Sequence, residues 1–309
     1  MSESEALIRA TTLLQRDCGS RIRVGLPLAA LTTFRIGGPA ALYLEPQDDA
    51  DLFSAGRAVR ETGIPVVILG KGSNVLVSDT GFPGLVIRLG QAYRWVAREG
   101  QILSAGGAMP LPALAGVALR HALAGIEFGV AIPASLGGAA RMNAGAHGRE
   151  MADVVDSLDL VRLLEARRDT VAASALGFAY RRTDLPPDVV VVGARLRLEP
   201  GQGGDIRAAM DEAREWRRRT QPVAEPNCGS VFKNPEGDHA ARLIDASGLK
   251  GVAIGGAQVS RKHANFIVAS PGARAADVLG LIRLVQERVH AETGTRLEPE
   301  VRLVGAFEA

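Results

Sequence analysis

The segment IPASLGGAARMNAGAHG, residues 132–148, is the most informative part of this sequence. Its four glycines are interleaved with alanines and with Asn143, and few of its side chains are large enough to build a core. Backbone with such small side chains can lie flat against an extended, flat ligand. An ordinary glycine-rich loop is the alternative, but long loops in compact domains usually have a function. We therefore predict that this loop lines a ligand site.

A second glycine-rich loop, GKGSNV (70–75), follows the apolar run IPVVILG (64–70), which predicts a strand buried on both faces. Successive backbone N–H groups in such a turn form a concavity that binds anions. The loop is not a dinucleotide fingerprint, which needs glycine at Val75, and it is not a P-loop, because Gly72 follows Lys71. Phosphate binding and an ordinary tight turn are both compatible with its residues.

The composition is that of a soluble protein with balanced charge. The chain has 309 residues, 47% of them hydrophobic, and a net charge of +2, so we expect two domains or one large domain and no nucleic-acid partner. Cys18 and Cys228 have no zinc or redox spacing and indicate a reducing compartment. The acidic N-terminus is unlike a signal peptide, and no apolar run reaches the roughly 18 residues of a membrane span. We expect a cytoplasmic protein without membrane insertion or a metal site.

The spacing of apolar residues predicts a mixture of helices and strands. Helices are expected over 4–17, 48–62, 205–219, 239–251 and 274–293, with another within 104–125. Asp48 and Gly63 mark the ends of the second helix. The helix over 274–293 is amphipathic, with one apolar stripe of Val278, Leu281, Ile282, Val285 and Val289. Strands are expected over 40–46, 64–70, 74–79, 84–90, 156–164, 189–199 and 296–305, with a turn and a strand within 256–269. PGQGGD (200–205) is the best candidate for a linker. The result is an α+β or mixed α/β protein with a break near residue 200.

The segment NCGSVFKNP (227–235) places polar side chains beside two apolar residues that we expect to be buried, Val231 and Phe232. On local sequence alone, a serine that caps a turn is the simpler interpretation of Ser230. Cys228 is expected to be a small buried neighbour rather than a nucleophile.

Seven segments in order carry a resemblance to a known family. They are TTFRIGG (32–38), LGKGSNVLVSD (69–79), GIEFGVAIPASLGGAARMNAGAHG (125–148), YRRTDL (180–185), CGSVFKNP (228–235), GGAQVSRKHANFIV (255–268) and LEPEVRLVG (297–305). Together they resemble UDP-N-acetylenolpyruvoylglucosamine reductases (MurB), the flavoenzymes of bacterial peptidoglycan precursor synthesis. The resemblance covers roughly residues 24–305.

The resemblance implies an α+β fold in which an FAD-binding domain of the vanillyl-alcohol-oxidase (PCMH) type precedes a smaller α+β substrate domain. It implies an N-terminal helix and lead-in over 1–30, the FAD-binding domain over 31–199 and the substrate-binding domain over 200–309. The last strand would return a catalytic glutamate to the active site. The chain resembles the shorter subtype of the family, which lacks a tyrosine-bearing insertion.

The resemblance also implies an activity, that of a UDP-N-acetylmuramate dehydrogenase. NADPH would reduce non-covalently bound FAD and leave. Hydride would then pass to the terminal carbon of the enolpyruvyl group of UDP-N-acetylglucosamine enolpyruvate, and a proton would reach the neighbouring carbon. The preference for NADPH is implied by the resemblance alone, and we expect a monomer or a weak oligomer.

Three catalytic residues follow from the same match. Ser230 aligns with the proton donor of the family and Arg181, in AYRRTD, with its catalytic arginine, which can hold a carboxylate through two hydrogen bonds. Glu298 and Glu300 alternate along the predicted last strand and would share one face. Patterning does not choose between them, and the match chooses Glu300, for orientation and charge balance.

The binding residues are also implied by the match. For FAD they are Gly70, Lys71, Gly72, Ser73, Asn74, Ile132, Pro133, Ser135, Gly137, Gly138, Asn143, Ala144 and Gly145. For the UDP-sugar they are Tyr180, Arg217, Asn234 and His263. A hydrogen-bonded structural histidine is an equally good interpretation of His263.

The chain departs from the family where IPASLGG replaces the usual IPG-T-x-GG. Ser135 keeps a hydroxyl that could bond to the flavin, whereas Ala134 in place of glycine requires a backbone φ below zero or strain. Thr220 stands where many relatives carry lysine, so a phosphate contact could pass to Arg219.

Two other functions remain compatible with the residues taken piece by piece. One is another FAD-dependent oxidoreductase of the same superfamily, acting on a different sugar or alcohol. The combination of YRRTD, GSVFKNP and EVRLVG argues against it. The other is a non-enzymatic module that binds a nucleotide sugar, which would need no flavin loops.

Overall fold

The computed structural model describes residues 2–307. The helices are α1 (Glu3–Cys18), α2 (Asp49–Thr62), α3 (Leu111–Arg120), α4 (Leu136–Arg141), α5 (Gly203–Thr220), α6 (Ala240–Ala246) and α7 (Ala275–Thr293). The first strands are β1 (Ile22–Pro27), β2 (Pro39–Leu44), β3 (Val66–Ile68), β4 (Val75–Val77), β5 (Phe82–Ile87), β6 (Val96–Glu99), β7 (Ile102–Gly106), β8 (Leu123–Ala124) and β9 (Gly145–Ala146). The remaining strands are β10 (Arg149–Glu150), β11 (Val155–Arg162), β12 (Arg167–Ala172), β13 (Val189–Arg197), β14 (Glu199–Pro200), β15 (Ala253–Ile254), β16 (Ala257–Val259), β17 (Ile267–Ala269) and β18 (Arg302–Val304). No helix of this range is long and apolar enough to cross a membrane.

The described residues form two compact units. The first contains 2–26, 41–71 and 83–215, and the second contains 27–40, 72–82 and 216–307. The predicted domains, 31–199 and 200–309, follow a different division. Strand β4 pairs in parallel with β18, which joins 72–82 to the C-terminal residues. Helix α5 buries Ile206, Met210 and Ala213 in a core of the first unit, so most of that helix does not belong with the C-terminal residues.

Helices α1 and α2 pack with a four-stranded sheet, ordered β1-β2-β5-β3, in the first unit. Leu14, Leu52 and Leu85 are fully buried in their shared core. The predicted strand over 64–70 is shorter than expected, and it is not buried on both faces. Strand β3 lies at the edge of the sheet, in parallel with β5, and its residues are only partly buried.

The ends of α2 are determined locally, and the predicted helix over 48–62 is confirmed. The Asp48 carboxylate accepts a hydrogen bond of 3.0 Å from the backbone N–H of Asp51, as an N-cap does. Gly63 ends the helix with φ 71°, a left-handed conformation that costs glycine little.

A five-stranded antiparallel sheet, ordered β12-β11-β13-β7-β6, completes the first unit. Residues of β11 enter two different cores: Leu158 and Leu160 pack with α3 and α4, whereas Val161 packs with α1 and α2. Both faces of the central strands are therefore buried. Strands β6 and β12 were not predicted, because edge strands with exposed charged residues such as RRDTVA (167–172) carry little apolar periodicity. Strand β7, which lies between β13 and β6, was also missed, because it is short and ends in the small residues Ala105 and Gly106.

The loop predicted over 132–148 contains regular structure. Helix α4 begins at Leu136, and its N-cap is Ser135, whose hydroxyl oxygen accepts a hydrogen bond from the backbone N–H of Gly138 at 3.4 Å. Strands β9 and β10 form a short hairpin after the helix. The glycines hid this helix from sequence reasoning because glycine disfavours helix interiors.

The second unit combines a three-stranded sheet, ordered β15-β16-β17, with α6 and α7. The predicted apolar stripe of α7 is confirmed, and its members are buried in one core: Val278, Leu281, Ile282, Val285 and Val289. The predicted strand over 296–305 is mostly wrong. Only Arg302–Val304 is a strand, and Pro299, which has no backbone N–H, lies in irregular structure before it.

Candidate active site

A cleft in the first unit opens between the first glycine loop and the start of α4. Its lining comprises Ile68, Leu69, Gly70, Lys71, Arg88, Leu89, Arg94, Gly107, Ala108, Ser135, Gly137, Gly138, Arg141 and Val191. The structure thus brings together five residues predicted to bind FAD, from two segments about 65 positions apart in the sequence.

The walls of the cleft are bare backbone because side chains do not fit there. A Cβ atom on Gly70 would lie 2.8 Å from the Ser135 hydroxyl, and one on Gly137 would lie 2.7 Å from the carbonyl oxygen of Val191. A Cβ atom on Gly107 would lie even closer to the same carbonyl oxygen of Val191. Such a surface allows backbone N–H groups to approach a phosphate closely. These residues therefore fit the pyrophosphate of a dinucleotide cofactor.

The charge of the cleft supports the same conclusion. Lys71, Arg88, Arg94 and Arg141 line it, and none of its lining residues is acidic. The Arg88 guanidinium donates to the carbonyl oxygen of Gly70 at 3.2 Å, which holds this cation against the glycine loop. Sequence reasoning missed Arg88 and Arg94, because no motif contains them, and it gave no role to Arg141, although this arginine lies within the second glycine loop.

The residues around the second glycine loop are arranged without strain at Ala134. This alanine does not have a positive φ, so the replacement of the usual glycine is tolerated by the backbone. Ile132 is half-buried and packs on the core beneath α4, whereas Pro133 is exposed. Neither residue lines the cleft, although both were predicted to contact FAD.

Asn143 is fully buried and organises the backbone after α4. Its amide nitrogen donates to the carbonyl oxygen of Ala179 at 3.0 Å, and its amide oxygen accepts from the N–H of Ala152 at 2.9 Å. The side chain is thus committed to the protein backbone. Ala144 and Gly145, also predicted FAD contacts, form the turn and the hairpin that follow.

Arg181 packs on this organised backbone. Its guanidinium donates to the carbonyl oxygen of Gly145 at 3.1 Å and lies at 3.5 Å from that of Asn143. The Tyr180 ring is about half exposed, and its centroid is 4.9 Å from the guanidinium carbon. Arg181 has φ 58°, a strained conformation for a residue with a side chain. Such strain is common at functional sites.

Gly72, Ser73 and Asn74 belong to the second unit. Gly72 is buried with φ 67°, and a Cβ there would clash with the carbonyl oxygen of Leu31. The Ser73 carbonyl oxygen is 3.9 Å from a Cβ built on Gly229. The amide nitrogen of Asn74 donates to the carbonyl oxygen of Glu300 at 3.2 Å. This part of the first glycine loop therefore lies beside the segments that carry Ser230 and Glu300.

The loop of Ser230 is held by residues other than the serine. Asn227 accepts a hydrogen bond from the N–H of Gly229 at 2.9 Å, so an asparagine caps the turn. Val231 and Phe232 are buried, as predicted. The Ser230 hydroxyl makes no hydrogen bond with any part of the chain that the structure describes. The interpretation of Ser230 as a turn cap is therefore wrong.

Glu300 is brought next to the Ser230 loop by backbone pairing. The Glu300 N–H donates to the carbonyl oxygen of Val231 at 2.7 Å. Glu298, the alternative candidate, is exposed and accepts from the Lys233 ammonium at 2.5 Å. Burial, and secondly the charge of Glu300, raise the pKa of the Cys228 thiol. Cys228 is thus a buried neighbour of this site and not a nucleophile.

The predicted sugar-nucleotide ligands of the second unit differ in their surroundings. The amide oxygen of Asn234 accepts from the N–H of Ala240 at the start of α6. The Arg217 guanidinium donates to the Gln221 side chain at 3.3 Å. Burial lowers the pKa of Arg217, because it disfavours the charged form, and an anionic ligand beside the guanidinium would stabilise that charge. His263 accepts from the N–H of Asn265 at 3.3 Å through Nδ1, in agreement with a structural histidine.

The fold and the cleft define the class of protein. The two sheets of the first unit, with a glycine-lined cationic cleft, form an FAD-binding domain of the vanillyl-alcohol-oxidase (PCMH) type, and the FAD binding domain family matches residues 40–165. A berberine bridge enzyme variant described as a reticuline dehydrogenase is similar over 63% of this chain and 44% of that chain. Its TM-score of 0.50 and identity of 14% show the fold alone.

The particular family follows from the remainder of the chain. The family of UDP-N-acetylenolpyruvoylglucosamine reductase C-terminal domains matches residues 221–304. The chain belongs to the UDP-N-acetylenolpyruvoylglucosamine reductase family and is an FAD-dependent oxidoreductase, which confirms the resemblance found in the sequence.

Several relatives carry this name. The protein of Anaeromyxobacter dehalogenans (strain 2CP-C) is 47% identical over 96% of this chain and 89% of its own length. That of Heliobacterium modesticaldum is 45% identical over 95% of this chain and 94% of its own length. The crystal structure of UDP-N-acetylenolpyruvylglucosamine reductase (MurB) from Thermus caldophilus has a TM-score of 0.79 and 37% identity, and the match covers 92% of this chain and 98% of that chain.

Proposed function

We propose that this protein uses NADPH to reduce UDP-N-acetylglucosamine enolpyruvate to UDP-N-acetylmuramate, a step of peptidoglycan precursor synthesis. The observation that carries the proposal is the arrangement of Ser230 and Glu300. An unbonded serine hydroxyl and a glutamate are held in register by the hydrogen bond between the Glu300 N–H and the Val231 carbonyl. The reaction requires a proton donor and a charged group of this kind.

The chemistry explains why these residue types are needed. When bound, FAD accepts a hydride from NADPH and supplies it to the terminal carbon of the enolpyruvyl group. Negative charge then develops on the carbon that bears the ether oxygen and the carboxylate. The Ser230 hydroxyl donates its proton to that carbon, which completes the conversion of the carbon–carbon double bond to a single bond. A hydroxyl suffices because this carbon is a much stronger base than a carboxylate.

Arg181 stabilises the charge that develops. Its guanidinium stays protonated, and its planar fork can hold the substrate carboxylate through two hydrogen bonds. Electron density is thereby drawn toward the carboxylate as the hydride arrives. Glu300 orients the reacting group and balances the charge, and Tyr180, whose ring stacks on Arg181, contributes to the substrate site.

Asn234, Arg217 and His263 bind the UDP-sugar. The proposal for Arg217 is supported by the partial burial of this residue, with no carboxylate of the described residues paired to its guanidinium. The proposal for His263 is supported by its geometry: because Nδ1 accepts a hydrogen bond, the ring proton is on Nε2, which can donate to a ligand.

FAD is held by the cleft of the first unit, through Gly70, Lys71, Ser135, Gly137 and Gly138. Its binding is non-covalent, as the resemblance to the reductase family implies. The two buried free thiols fit a reducing, cytoplasmic location.

The test measures two half-reactions separately: reduction of the flavin by NADPH, and its reoxidation by the enolpyruvate. Flavin absorbance of the purified protein is followed in a stopped-flow instrument, first on mixing with NADPH and then on mixing the reduced protein with UDP-N-acetylglucosamine enolpyruvate. We expect bleaching in the first step and recovery in the second, with no recovery when UDP-N-acetylglucosamine replaces the substrate. Bleaching without enolpyruvate-dependent recovery would overturn the proposed substrate and indicate another FAD-dependent reaction.

A further inference from the structure

The side chain of Asn265 forms a double hydrogen bond with the backbone of a residue 33 positions away. The Phe232 N–H donates to its amide oxygen at 2.9 Å, and its amide nitrogen donates to the Phe232 carbonyl oxygen at 2.8 Å. Asn265 is only 4% exposed. The amide therefore pairs with the Phe232 peptide groups as a neighbouring strand would.

The same stretch is paired on its other edge with the segment of Glu300. The Lys233 N–H donates to the carbonyl oxygen of Glu298 at 2.9 Å, and the Glu300 N–H donates to that of Val231 at 2.7 Å. Residues 231–233 are thus the middle of a three-part ladder. Asn265 forms one edge of this ladder, and 298–300 form the other.

The chemistry of this position restricts the side chain. A buried peptide N–H and carbonyl both need partners. Asparagine offers a donor and an acceptor on one short, planar group with the shape of a peptide. An apolar residue would leave both groups of Phe232 unpaired.

Asn265 is itself held by a tight turn. The Ser260 hydroxyl oxygen accepts from the N–H groups of Lys262 and His263, and His263 Nδ1 accepts from the N–H of Asn265. The carbonyl oxygen of Asn265 accepts in turn from the Val231 N–H at 2.9 Å. Both the side chain and the backbone of Asn265 are therefore bonded to 231–232.

We propose that Asn265 is a positioning residue for the proposed reaction: it sets the place of the 231–233 stretch and, through it, the places of Ser230 and Glu300. The inference rests on the proposed function. Asn265 touches no reacting group, so its effect is on geometry alone. Displacement of a reacting group by about 1 Å can cost on the order of 100-fold in rate.

The experiment compares Asn265→Ala and Asn265→Asp with the matched control Gln258→Ala. Gln258 also donates from a side-chain amide to the backbone, at the carbonyl oxygen of Gly251, but it lies on β16 away from the ladder. Each holoenzyme is assayed below its melting temperature, with flavin content as the measure of an intact first unit. We expect Asn265→Ala to keep flavin reduction by NADPH and to slow enolpyruvate-driven reoxidation about 100-fold at saturating substrate. Gln258→Ala should resemble wild type in both steps.

The pH dependence of Asn265→Asp distinguishes a change in geometry from a loss of stability, which would not produce this dependence. In Asn265→Asp, an ionised carboxylate would turn an acceptor toward the Phe232 carbonyl, whereas the protonated acid restores a donor of the original shape. Because burial against a carbonyl favours protonation, the reoxidation rate of Asn265→Asp relative to wild type should rise as pH falls. The ladder and the turn that holds it carry the titratable groups of His263, Lys233, Glu298 and Glu300, and the Cys228 thiol is a buried neighbour of Glu300. The reoxidation rate of the variant is divided by the wild-type rate at each pH, so effects that these groups have on both proteins cancel.

The outcomes distinguish the two proposals. If wild type is not reoxidised by the enolpyruvate, the proposed function fails. If wild type is reoxidised and both Asn265 variants match it, the positioning role is wrong. Equal slowing of both half-reactions, or a ratio for Asn265→Asp that does not change with pH, would likewise overturn it.

Discussion

The backbone N–H of Glu300 donates to the carbonyl oxygen of Val231 across 2.7 Å, although the two residues are 69 positions apart in the sequence. This bond places the glutamate beside the residue that follows the serine. It explains how a glutamate that precedes β18, rather than one within a strand, reaches the Ser230 loop.

Replacement of Ser230 by alanine should slow one half-reaction and leave the other unchanged. We expect Ser230→Ala to keep reduction of the flavin by NADPH, because that step needs no proton from serine. Reoxidation by the enolpyruvate should slow by about 100- to 10,000-fold, the usual effect of losing a general acid. Stopped-flow flavin absorbance measures both rates. Equal slowing of the two steps would show that Ser230 has a structural rather than a proton-donating role.

The two neighbouring glutamates should behave differently. Glu300→Gln should slow reoxidation severely, since it removes the charge held beside Val231. Glu298→Gln removes only an ion pair with Lys233 whose glutamate is exposed, and such pairs contribute roughly 0–1 kcal/mol. We expect its turnover and stability to be close to wild type. A severe kinetic loss in Glu298→Gln alone would reverse the assignment between the two carboxylates.

The positive φ of Arg181 predicts an order of stability between two inactive variants. Arg181→Gly and Arg181→Ala both remove the guanidinium and its bond to Gly145. The glycine variant should be the more stable by about 1 kcal/mol, because only residues with a Cβ are strained near φ 58°. Urea denaturation of both variants gives the comparison. Equal free energies of unfolding would mean that the backbone relaxes at this position.

The bare backbone that walls the cleft of the first unit predicts that a side chain at Gly137 weakens FAD binding. Gly137→Ala would place a Cβ 2.7 Å from the Val191 carbonyl oxygen, so the cleft wall must shift and the ratio of FAD to protein after gel filtration should fall. Gly116→Ala is the matched control, since open space surrounds this glycine of α3. It should retain FAD and gain about 0.5–1 kcal/mol of stability, because alanine is the better helix former. Full FAD retention in Gly137→Ala would contradict the assignment of this cleft wall to FAD binding.

Burial of His263 predicts a dependence of stability on pH. Burial, followed by the charge of Lys250, lowers the pKa of the folded imidazole below its ordinary value of 6.5. As pH falls through 6.5, the unfolded chain takes up a proton that the folded chain does not, so the unfolding free energy decreases. His263→Gln should remove this part of the decrease. Urea denaturation of both proteins between about pH 7.5 and pH 5 tests it, and parallel curves would exclude the effect.

Features that depend on neighbouring residues were predictable from the sequence. The N-cap Asp48 and the end at Gly63 predicted α2, and the stripe of Val278, Leu281 and Val285 predicted α7. These signals are local, because capping and helical periodicity act within one or two turns. The buried anchors of the Ser230 loop followed from apolar side chains beside turn residues.

The candidate site was predictable only in part. The motif match named Ser230, Arg181 and Glu300, but nothing near them in the sequence indicates how they are held. Arg88 and Arg94 escaped notice because no motif contains them, and α4 was hidden by its glycines. Asn143 was expected to contact FAD, yet its buried amide is used by backbone groups of the protein.

By itself, the sequence determined the local elements of this protein, its two glycine loops and the residue types of its site. Only the tertiary structure decided the pairing of β4 with β18, the shape of the cationic cleft and the ladder that joins Asn265, 231–233 and 298–300. The physical reason is that these features are hydrogen bonds and close approaches between backbone groups. Almost every residue carries the same backbone N–H and carbonyl groups, so their long-range pairing leaves almost no trace in the identity of the side chains.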